Sequence, residues 1–447
     1  MRFQNHDWAG FRPLLPLLCT VLLLSLTQGL LAKVSRIRLA WQEDPTSTLT
    51  LGWHQESGEA VAVHYQVARR GVDRPDEGWA KVTEFRSENY MEMENRFAYL
   101  KDLKPDTDYQ FAIRDSEGVT EVFHFRTAPD TAKPFTFIAG GDSKSEPRLR
   151  ERYRKGNRMV AKLHPLFVVY AGDFISGDGL DPEGWRHWLH DWSELATTKE
   201  GRMIPIVVVR GNHEAEEEIL YKLFGLHSPK NYFALSFGGD LMRFYSLNSE
   251  INIVKKGDRR SFDKPSTMEN RQTQWLEKDL KEVKATFTAA SYHKPIRPHT
   301  KSKSENDYLY RTWAHLFHDQ RLDLVIEGDS HMHKITWPVI PSNGNDSHEG
   351  FIRNDKEGTV FTGEGSWGAP VRNNDDDKPW TRQSGKIHQF KWIHVHPDAI
   401  RMHTVILDNK EKARANSERN PFEIPEGVEL FQPEGQEAVI TLKPRSK

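Results

Sequence analysis

The 447-residue sequence predicts two folded domains in series, a β-sandwich followed by an α/β domain. Short stretches of alternating apolar and polar residues, separated by turn residues, fill the chain from Val34 to about Thr127. Beyond that point, apolar runs alternate with stretches of helical periodicity, a pattern typical of buried strands connected by helices. With 37% hydrophobic and 28% charged residues, the chain can bury a sizeable core.

The first 32 residues have the pattern of a secretory signal peptide. Arg2 and Arg12 precede the leucine-rich run 14–31, and Ala32 ends it before a charged, polar chain. An uncleaved anchor is the alternative, since the run is long, but its prolines and Gly29 make it a poor membrane span. No later stretch is apolar for long enough to cross a bilayer. We therefore expect export to the periplasm, the cell surface or the medium, with no stable membrane span in the mature chain.

Residues 33–128 are predicted to form the sandwich, because they contain roughly seven short strands in under a hundred residues. Three of these alternating stretches are Thr48–Trp53, Ala62–Val67 and Tyr109–Ile113. The sequence Leu-Lys-Pro-Asp-Thr-Asp-Tyr at 103–109 resembles the fibronectin type III signature, in which the tyrosine hydrogen-bonds back to upstream backbone. The first domain is therefore expected to be fibronectin type III-like.

Residues 134–408 are predicted to form the α/β domain, after a short linker rich in alanine and proline. Its predicted strands include the apolar runs Phe135–Ala139, Leu166–Tyr170 and Ile204–Val209. Residues 409–447 are polar and are expected to be a loosely attached C-terminal tail.

Charge and cysteine content narrow the classes of function. The 62 lysines and arginines balance 64 acidic residues, so no global field attracts nucleic acid or an anionic membrane, and no nucleic-acid binding is expected. The only cysteine, Cys19, lies in the apolar N-terminal run, which excludes an intramolecular disulfide and a cysteine-based metal site. Metal ligands must therefore be His, Asp, Glu or Asn.

Polar ligand types follow the predicted strands of the second domain. In α/β proteins the functional sites lie on loops at the ends of strands. In this sequence most of the polar residues at predicted strand ends have a glycine close before them. The block Gly211-Asn212-His213-Glu214 is the most specific of them. Six potential metal ligands occur in chain order: Asp142, Asp173, Asn212, His293, His331 and His333.

Two cations about 3.5–4 Å apart need a carboxylate between them to screen their repulsion, and Asp173 fits that position. The available oxygen and nitrogen ligands suit iron, zinc or manganese, and which of these is bound stays open. A second His-x-His pair, His394 and His396, lies in an alternating stretch and is predicted to be part of a strand instead.

The ordered ligand set resembles the calcineurin-like metallophosphoesterases, and the preceding fibronectin-like domain narrows the resemblance to the purple acid phosphatases. The resemblance implies a β-sandwich core flanked by helices in the second domain. It also implies two metal sites that share Asp173. The first would be held by Asp142, Asp173 and His333, and the second by Asp173, Asn212, His293 and His331.

The resemblance further implies hydrolysis of a phosphate ester by metal-bound hydroxide. His213 would contact the phosphate and help the leaving group to depart, and Glu214 could orient it. Arg297 and His299 follow His293 closely enough to line the mouth of the site and bind phosphate.

The sequence departs from the family pattern at three places. Ser176 stands where purple acid phosphatases have the tyrosine that binds Fe(III) and gives the colour, so we do not expect the chromophore. Lys144 stands where other calcineurin-like enzymes have a histidine, which leaves the first metal with three protein ligands. Asp329 and Ser330 separate the glycine from the His-x-His pair, where the family usually has glycine directly before it.

The predicted function is an exported binuclear phosphatase acting on small-molecule phosphate monoesters. A phosphodiesterase or nucleotidase is the alternative within enzymes, because the same metal pair serves both reactions. A non-catalytic binding or adhesion protein with a degenerate phosphatase domain is the alternative of another class, which Ser176 and Lys144 would favour. The oligomeric state stays open.

Overall fold

The computed structural model describes residues 31–59, 61–144, 146, 148–250, 267–408 and 413–445, with the backbone alone for 267–270. The predicted signal peptide lies outside the described residues, except for its last two positions. None of the helices in these ranges combines the length and apolarity that a bilayer span requires.

Four strands of a ten-stranded sheet and a separate four-stranded sheet form the N-terminal domain, which confirms the predicted sandwich. One sheet contains β1 (Val34–Ala40), β2 (Leu49–Gln55), β5 (Arg86–Tyr90) and β6 (Met93–Leu100). The other contains β3 (Ala62–Val67), β4 (Ala80–Val82), β7 (Asp108–Arg114) and β8 (Phe123–Arg126). The backbone N–H of Lys104 donates to the hydroxyl of Tyr109 at 2.8 Å, as the fibronectin-like motif predicts.

The second domain is built on two larger sheets. The first runs in the order β23-β22-β21-β9-β10-β11 and contains β9 (Phe135–Gly140), β10 (Phe167–Tyr170), β11 (Ile206–Val208), β21 (Gln389–His396), β22 (Ala399–Ile406) and β23 (Val439–Leu442). The second runs in the order β12-β13-β14-β15-β19-β16-β20 and contains β12 (Phe233–Phe237), β13 (Met242–Ser246), β14 (Phe287–Ser291), β15 (Leu324–Glu327), β16 (His333–Thr336), β19 (Val360–Gly363) and β20 (Thr381–Gly385). A small separate pair contains β17 (Val339–Pro341) and β18 (Phe351–Arg353).

The helices connect these strands. They are α1 (Arg150–Leu163), α2 (Pro182–Leu195), α3 (Glu218–Phe224), α4 (Thr267–Glu282), α5 (Asp307–Leu309) and α6 (His315–Asp319), with a π-helical turn (Tyr310–Ala314) between the last two.

The two large sheets pack face to face, and helices cover their outer faces. Alternating residues of each strand point to opposite faces, so Phe137 and Val169 pack against the second sheet while Ile138 and Val168 pack under α1 and α2. The outer face of the second sheet packs against α4 and the helices between 307 and 319. The result is the predicted β-sandwich core flanked by helices.

The sandwich domain and the second domain share one sheet. Ala40 of β1 pairs in parallel with Ile206 of β11, so the first sheet of the sandwich continues the first sheet of the α/β domain. The buried guanidinium of Arg38 donates to the carbonyl of Leu223 at 2.6 Å across the same junction. The N-terminal domain is therefore fixed against the strands whose ends carry the site.

The end of the chain differs from the expected loose tail. β23 pairs antiparallel with β22 at the edge of the first sheet, and the guanidinium of Arg445 lies 2.8 Å from the carboxylate of Asp323. Its register with β22 gives residues 439–442 backbone partners that a polar composition does not predict.

Candidate active site

Acidic and imidazole side chains converge where strands of both large sheets end. Asp142 follows β9 and Asp173 follows β10, and both have left-handed backbone, with φ of 62° and 56°. His293 follows β14, and Asp329 and His331 follow β15. All five are buried. The carboxyl ends of parallel strands therefore bring them to one place between the sheets.

These side chains form two groups that share Asp173. Asp142, Asp173 and His331 form one group, and Asp173, His293 and Asp329 form the other. In each, one ligand atom per residue lies within 4.8 Å of the others. The Nε2 of His331 is 3.2 Å from the Asp142 carboxylate, and the Nε2 of His293 is 3.2 Å from Asp173 and 3.7 Å from Asp329. Asp173 thus lies between two adjacent cation positions.

The chemistry of these donors fits metal ions. The Nδ1 of His293 lies 2.7 Å from the carbonyl of Ala171, and that of His331 lies 3.2 Å from the carbonyl of Pro370. A ring that donates from Nδ1 presents the lone pair of Nε2 to the carboxylates, as metal-binding histidines do. Neither Nε2 has a hydrogen-bond partner, and the same holds for the Oδ1 of Asp142. Buried polar atoms without partners are costly, and bound cations would satisfy all three.

The pKa shifts of the same side chains also favour a bound cation. Burial alone would lower the pKa of His293, but the carboxylates of Asp173 and Asp142 outweigh it and raise that pKa. Burial would raise the pKa of Asp173, yet the charges of His293, Lys144 and His213 hold it well below its ordinary value. The site therefore favours a net positive charge between its carboxylates.

Glycines leave room for the ligands. A Cβ on Gly365, where φ is 58°, would lie 1.6 Å from the Oδ2 of Asp142. A Cβ on Gly328 would lie 2.7 Å from the Nδ1 of His293. Any side chain at either position would displace a candidate ligand.

Glu214 holds the loops after β10 and β11 together. Its buried carboxylate accepts backbone hydrogen bonds from Gly211, Asp173 and Phe174 at 2.8–3.0 Å. Burial, followed by the neighbouring Asp173 charge, raises its pKa to about 7. Glu214 thus positions Asp173, whereas the sequence suggested that it orients the His213 ring.

His213 and Lys144 lie beside Asp173 at the open side of the cluster. The backbone N–H of His213 donates to Asp173 at 2.9 Å, and its Nδ1 contacts the carbonyl of Gly177. The ammonium of Lys144 is 2.5 Å from the Nε2 of His213 and 2.9 Å from the Asp173 carboxylate. Burial lowers the pKa of His213, although Asp173 opposes the effect. Asn212 is half-buried on the same loop.

Two further cationic side chains border the cluster and were missed by sequence reasoning. The ammonium of Lys303 is 2.5 Å from the carboxylate of Asp329. The guanidinium of Arg372 donates to the backbone carbonyl of Asp329 at 2.8 Å. Both lie in irregular segments that carry no periodic or strand-end signal, so nothing local in the sequence indicates them.

His333 differs most from its predicted placement. It begins β16, and the Nδ1 of its fully buried ring lies 2.6 Å from the ammonium of Lys391. It belongs to neither three-residue group, and His331 lies with Asp142 instead of with His293. Asp329 occupies the remaining place beside His293. Asp329 and His331 both have positive φ, so the loop turns and the alternation of an extended chain does not apply.

Arg297 and His299 also lie elsewhere than predicted. The guanidinium of Arg297 donates to the carbonyl of Glu349 at 2.7 Å and lies 3.0 Å from the carboxylate of Asp307. The ring of His299 is fully buried, 3.8 Å from the carboxylate of Glu364. Both side chains belong to internal polar networks, so the structure does not place them at the mouth of the cluster.

Comparison with known families identifies the class of protein. Residues 34–127 match the family described as purple acid phosphatase, N-terminal domain, and residues 135–333 match the calcineurin-like phosphoesterase family. The chain belongs to the calcineurin-like metallophosphoesterases and carries the N-terminal domain of the purple acid phosphatases.

Individual relatives are distant. An uncharacterized protein of Mycobacterium tuberculosis is 24% identical over 353 residues, covering 70% of this chain and 64% of that protein. Purple acid phosphatase 15 of Arabidopsis thaliana is 26% identical over 269 residues, covering 52% of this chain and 47% of that protein. The chain thus spans less than two thirds of the length of these relatives.

Solved structures confirm the fold. The purple acid phosphatase PPD1 from yellow lupin superposes with a TM-score of 0.65 at 14% identity, covering 88% of this chain and 76% of that one. PhoD superposes with a TM-score of 0.62 at 12% identity, covering 92% and 90%. At these identities the likeness shows the fold alone.

Proposed function

We propose that this chain is an exported binuclear metallophosphatase that hydrolyses small-molecule phosphate monoesters. The observation that carries the proposal is the pair of buried three-residue groups that share Asp173, in which the Nε2 atoms of His293 and His331 and the Oδ1 of Asp142 lack hydrogen-bond partners. The family supplies the reaction class, a metal-dependent phosphoester hydrolysis.

The proposed ligands follow the geometry. Asp142, Asp173 and His331 would hold the first metal, and Asp173, His293 and Asp329 the second. Asn212, which the sequence assigned to the second metal, is half-buried on the loop after β11. The proposed set takes Asp329 in place of the predicted His333. Oxygen and nitrogen donors of this kind suit iron, zinc or manganese. When bound, two such ions would activate water and neutralise phosphate charge.

The remaining polar side chains would bind and orient the phosphate. Lys144 and His213 lie on one side of Asp173, while Lys303 and Arg372 lie beside Asp329. His213 is fixed through its backbone N–H, and its Nε2 lies 2.5 Å from the ammonium of Lys144, so these two side chains together would hold a proton for the leaving group. Four cationic or protonatable groups around one cluster favour a substrate that carries two negative charges.

Metal content and turnover test the ligand set together. We expect about two metal ions per purified chain by elemental analysis, and hydrolysis of p-nitrophenyl phosphate. Asp173→Asn and Asp329→Asn should each lose metal and lower kcat by at least about 100-fold. His333→Asn should keep both ions. His394→Asn is the matched control for loss of a buried histidine, because His394 is also buried but lies in β21. Loss of metal in His333→Asn with retention in Asp329→Asn would restore the sequence-based set.

A diester substrate separates the phosphatase from its nearest alternative. A phosphate monoester is dianionic at neutral pH and a diester is monoanionic, so the cations around the site favour the monoester. We expect a larger kcat/KM for p-nitrophenyl phosphate than for bis(p-nitrophenyl) phosphate. The reverse order would favour a phosphodiesterase. Full metal content with no turnover of either ester would favour the binding-protein alternative.

Export rests on the N-terminal pattern. Arg2, Arg12 and the leucine-rich run to Leu31 predict cleavage near Ala32. Mass spectrometry of the protein expressed with its full N-terminus should give a mature chain that lacks about 32 residues, recovered outside the cytoplasm. An intact N-terminus in the cytoplasmic fraction would reject this part of the proposal.

A further inference from the structure

A second cleft lies between the sandwich domain and the α/β domain. Its volume is about 970 Å³, within the range of about 300–1,000 Å³ that small-molecule sites occupy. The sandwich contributes residues including Arg69 and Arg126, the α/β domain contributes Thr136 and Arg202, and the chain after β22 contributes Glu418. Parts of the chain that are far apart in sequence therefore form one cavity.

This cleft lies at the opposite edge of the sheet from the metal cluster. Thr136 is the second residue of β9, Leu166 directly precedes β10, and Arg202 precedes β11. The candidate metal ligands follow the other ends of the same strands. At about 3.3 Å per residue, the six residues of β9 separate the two places by roughly 15–20 Å. A ligand in the cleft is therefore not a substrate at the metal cluster.

Three buried polar side-chain atoms in the cleft lack hydrogen-bond partners. They are the Nε of Arg202, the Nδ1 of His164 and the Oγ1 of Thr136. Arg202 is 8% exposed, His164 4% and Thr136 1%. Buried polar groups are normally paired, and a buried guanidinium needs a partner most of all. Their convergence on one cavity indicates a ligand that supplies the missing partners.

The nearby acidic side chains leave Arg202 without close charge compensation. Asp106 and Asp108 are held by Arg126, at 2.8 and 2.5 Å, and Lys133 also pairs with Asp106. Glu418 lies nearest to His164, at 3.6 Å from its Nδ1, and its side chain is about half exposed. Burial lowers the pKa of Arg202, and the negative charges of Glu418 and Asp108 only partly oppose that lowering.

The walls of the cleft add an apolar component. Phe125, Phe135 and Leu166 are buried side chains that line it, and Phe422 lies on the C-terminal side. A ligand that fills the cleft therefore needs an anionic group for Arg202 and an apolar body for these walls.

We propose that this interdomain cleft is a second binding site, for a small organic oxyanion whose carboxylate or phosphate group pairs with Arg202 and Thr136. The anionic group supplies the close counter-charge that Arg202 lacks, and the apolar body packs against Phe125 and Phe135. The proposal is independent of the phosphatase reaction, because it rests on residues at the other edge of the sheet.

Calorimetric titration of the metal-loaded full chain tests the site. The probes are benzoate, which carries an apolar body, and inorganic phosphate, which does not. Arg202→Met should weaken binding by about tenfold or more, the usual worth of a charge-assisted hydrogen bond. Thr136→Val should weaken it several-fold. Glu418→Gln should strengthen it, because the competing carboxylate is removed. Arg353→Met, which changes a surface arginine paired with Asp355, is the control for general loss of charge.

The metal cluster provides the second control. Asp173→Asn should leave benzoate binding in the cleft unchanged. Benzoate binding with this pattern supports the proposal, whereas binding of phosphate without binding of benzoate would overturn it, because the apolar walls would then contribute nothing. Absence of binding by both probes, binding that is lost in Asp173→Asn, or equal binding by wild type and Arg202→Met would overturn it. Thr136→Val and Glu418→Gln keep the test decisive if Arg202→Met does not fold.

Discussion

Replacing Gly365 by alanine should displace the Asp142 carboxylate from the first metal position. The new Cβ would lie 1.6 Å from the Oδ2 of Asp142, whereas real Cβ contacts stay above 3.0 Å. The carboxylate must therefore retreat by more than about 1 Å, and displacements of that size in an active site cost on the order of 100-fold in rate. That loss corresponds to about 2.7 kcal/mol of transition-state stabilisation.

A second glycine controls for backbone strain. Alanine at either position incurs about 1–2 kcal/mol for left-handed backbone, since φ is 58° at Gly365 and 70° at Gly435. The Cβ at Gly435 would meet nothing within 4 Å. We expect both variants to unfold cooperatively in urea, but lower metal content and an about 100-fold lower kcat/KM for p-nitrophenyl phosphate only in Gly365→Ala. Metal content and turnover within about threefold of Gly435→Ala would refute the assignment of Asp142 as a ligand.

Three further outcomes follow from the same contacts. Tyr109→Phe should destabilise the chain by about 1–2 kcal/mol, because the N–H of Lys104 loses its acceptor, and thermal unfolding measures this. Asp191→Asn should cost about 3 kcal/mol at pH 7 by urea unfolding. Although burial opposes it, Arg150 and Tyr153 lower the pKa of Asp191 below 3.8, so its stabilisation is present above the unfolded-state pKa and is lost as pH falls through the folded-state value. The difference in the free energy of unfolding between wild type and Asp191→Asn should therefore narrow as the pH is lowered below 3.8. A difference independent of pH would contradict this reasoning. Chelation should lower the melting temperature of wild type but not of Asp173→Asn, since only the first loses bound metal.

Local patterns predicted the elements of the fold better than their assembly. Alternation identifies strands such as β2, and continuous apolar runs identify strands such as β9. Helical spacing places Trp185, Trp188 and Trp192 on the buried face of α2, where they pack in the core. The parallel pair between Ala40 and Ile206 joins positions far apart in sequence. Such a pairing leaves no local pattern, and the same holds for β23 at the sheet edge.

Local patterns likewise predicted some residues of the site and missed others. The strand-end rule predicted Asp142, Asp173, His293 and His331, and the structure brings all four together. The rule could not decide whether His333 or Asp329 joins the cluster, because the answer depends on the backbone conformation of the loop after β15. Asp329 itself was visible in the sequence as an acid directly after a strand and a glycine, but the family pattern drew attention to the His-x-His pair instead.

The charge distribution around the cluster argues that the first metal position needs its ion most. Of the three buried carboxylates, Asp173 has the ammonium of Lys144 at 2.9 Å and Asp329 has that of Lys303 at 2.5 Å. Within the described part of the chain, Asp142 has no such ammonium or guanidinium partner, and its Oδ1 faces only the Nε2 of His331 at 3.2 Å. Because an uncompensated buried carboxylate is strongly unfavourable, Asp142 depends on a cation from solvent. Lys144, which stands where related enzymes have a metal-binding histidine, therefore compensates the bridging carboxylate without removing the need for a metal at Asp142.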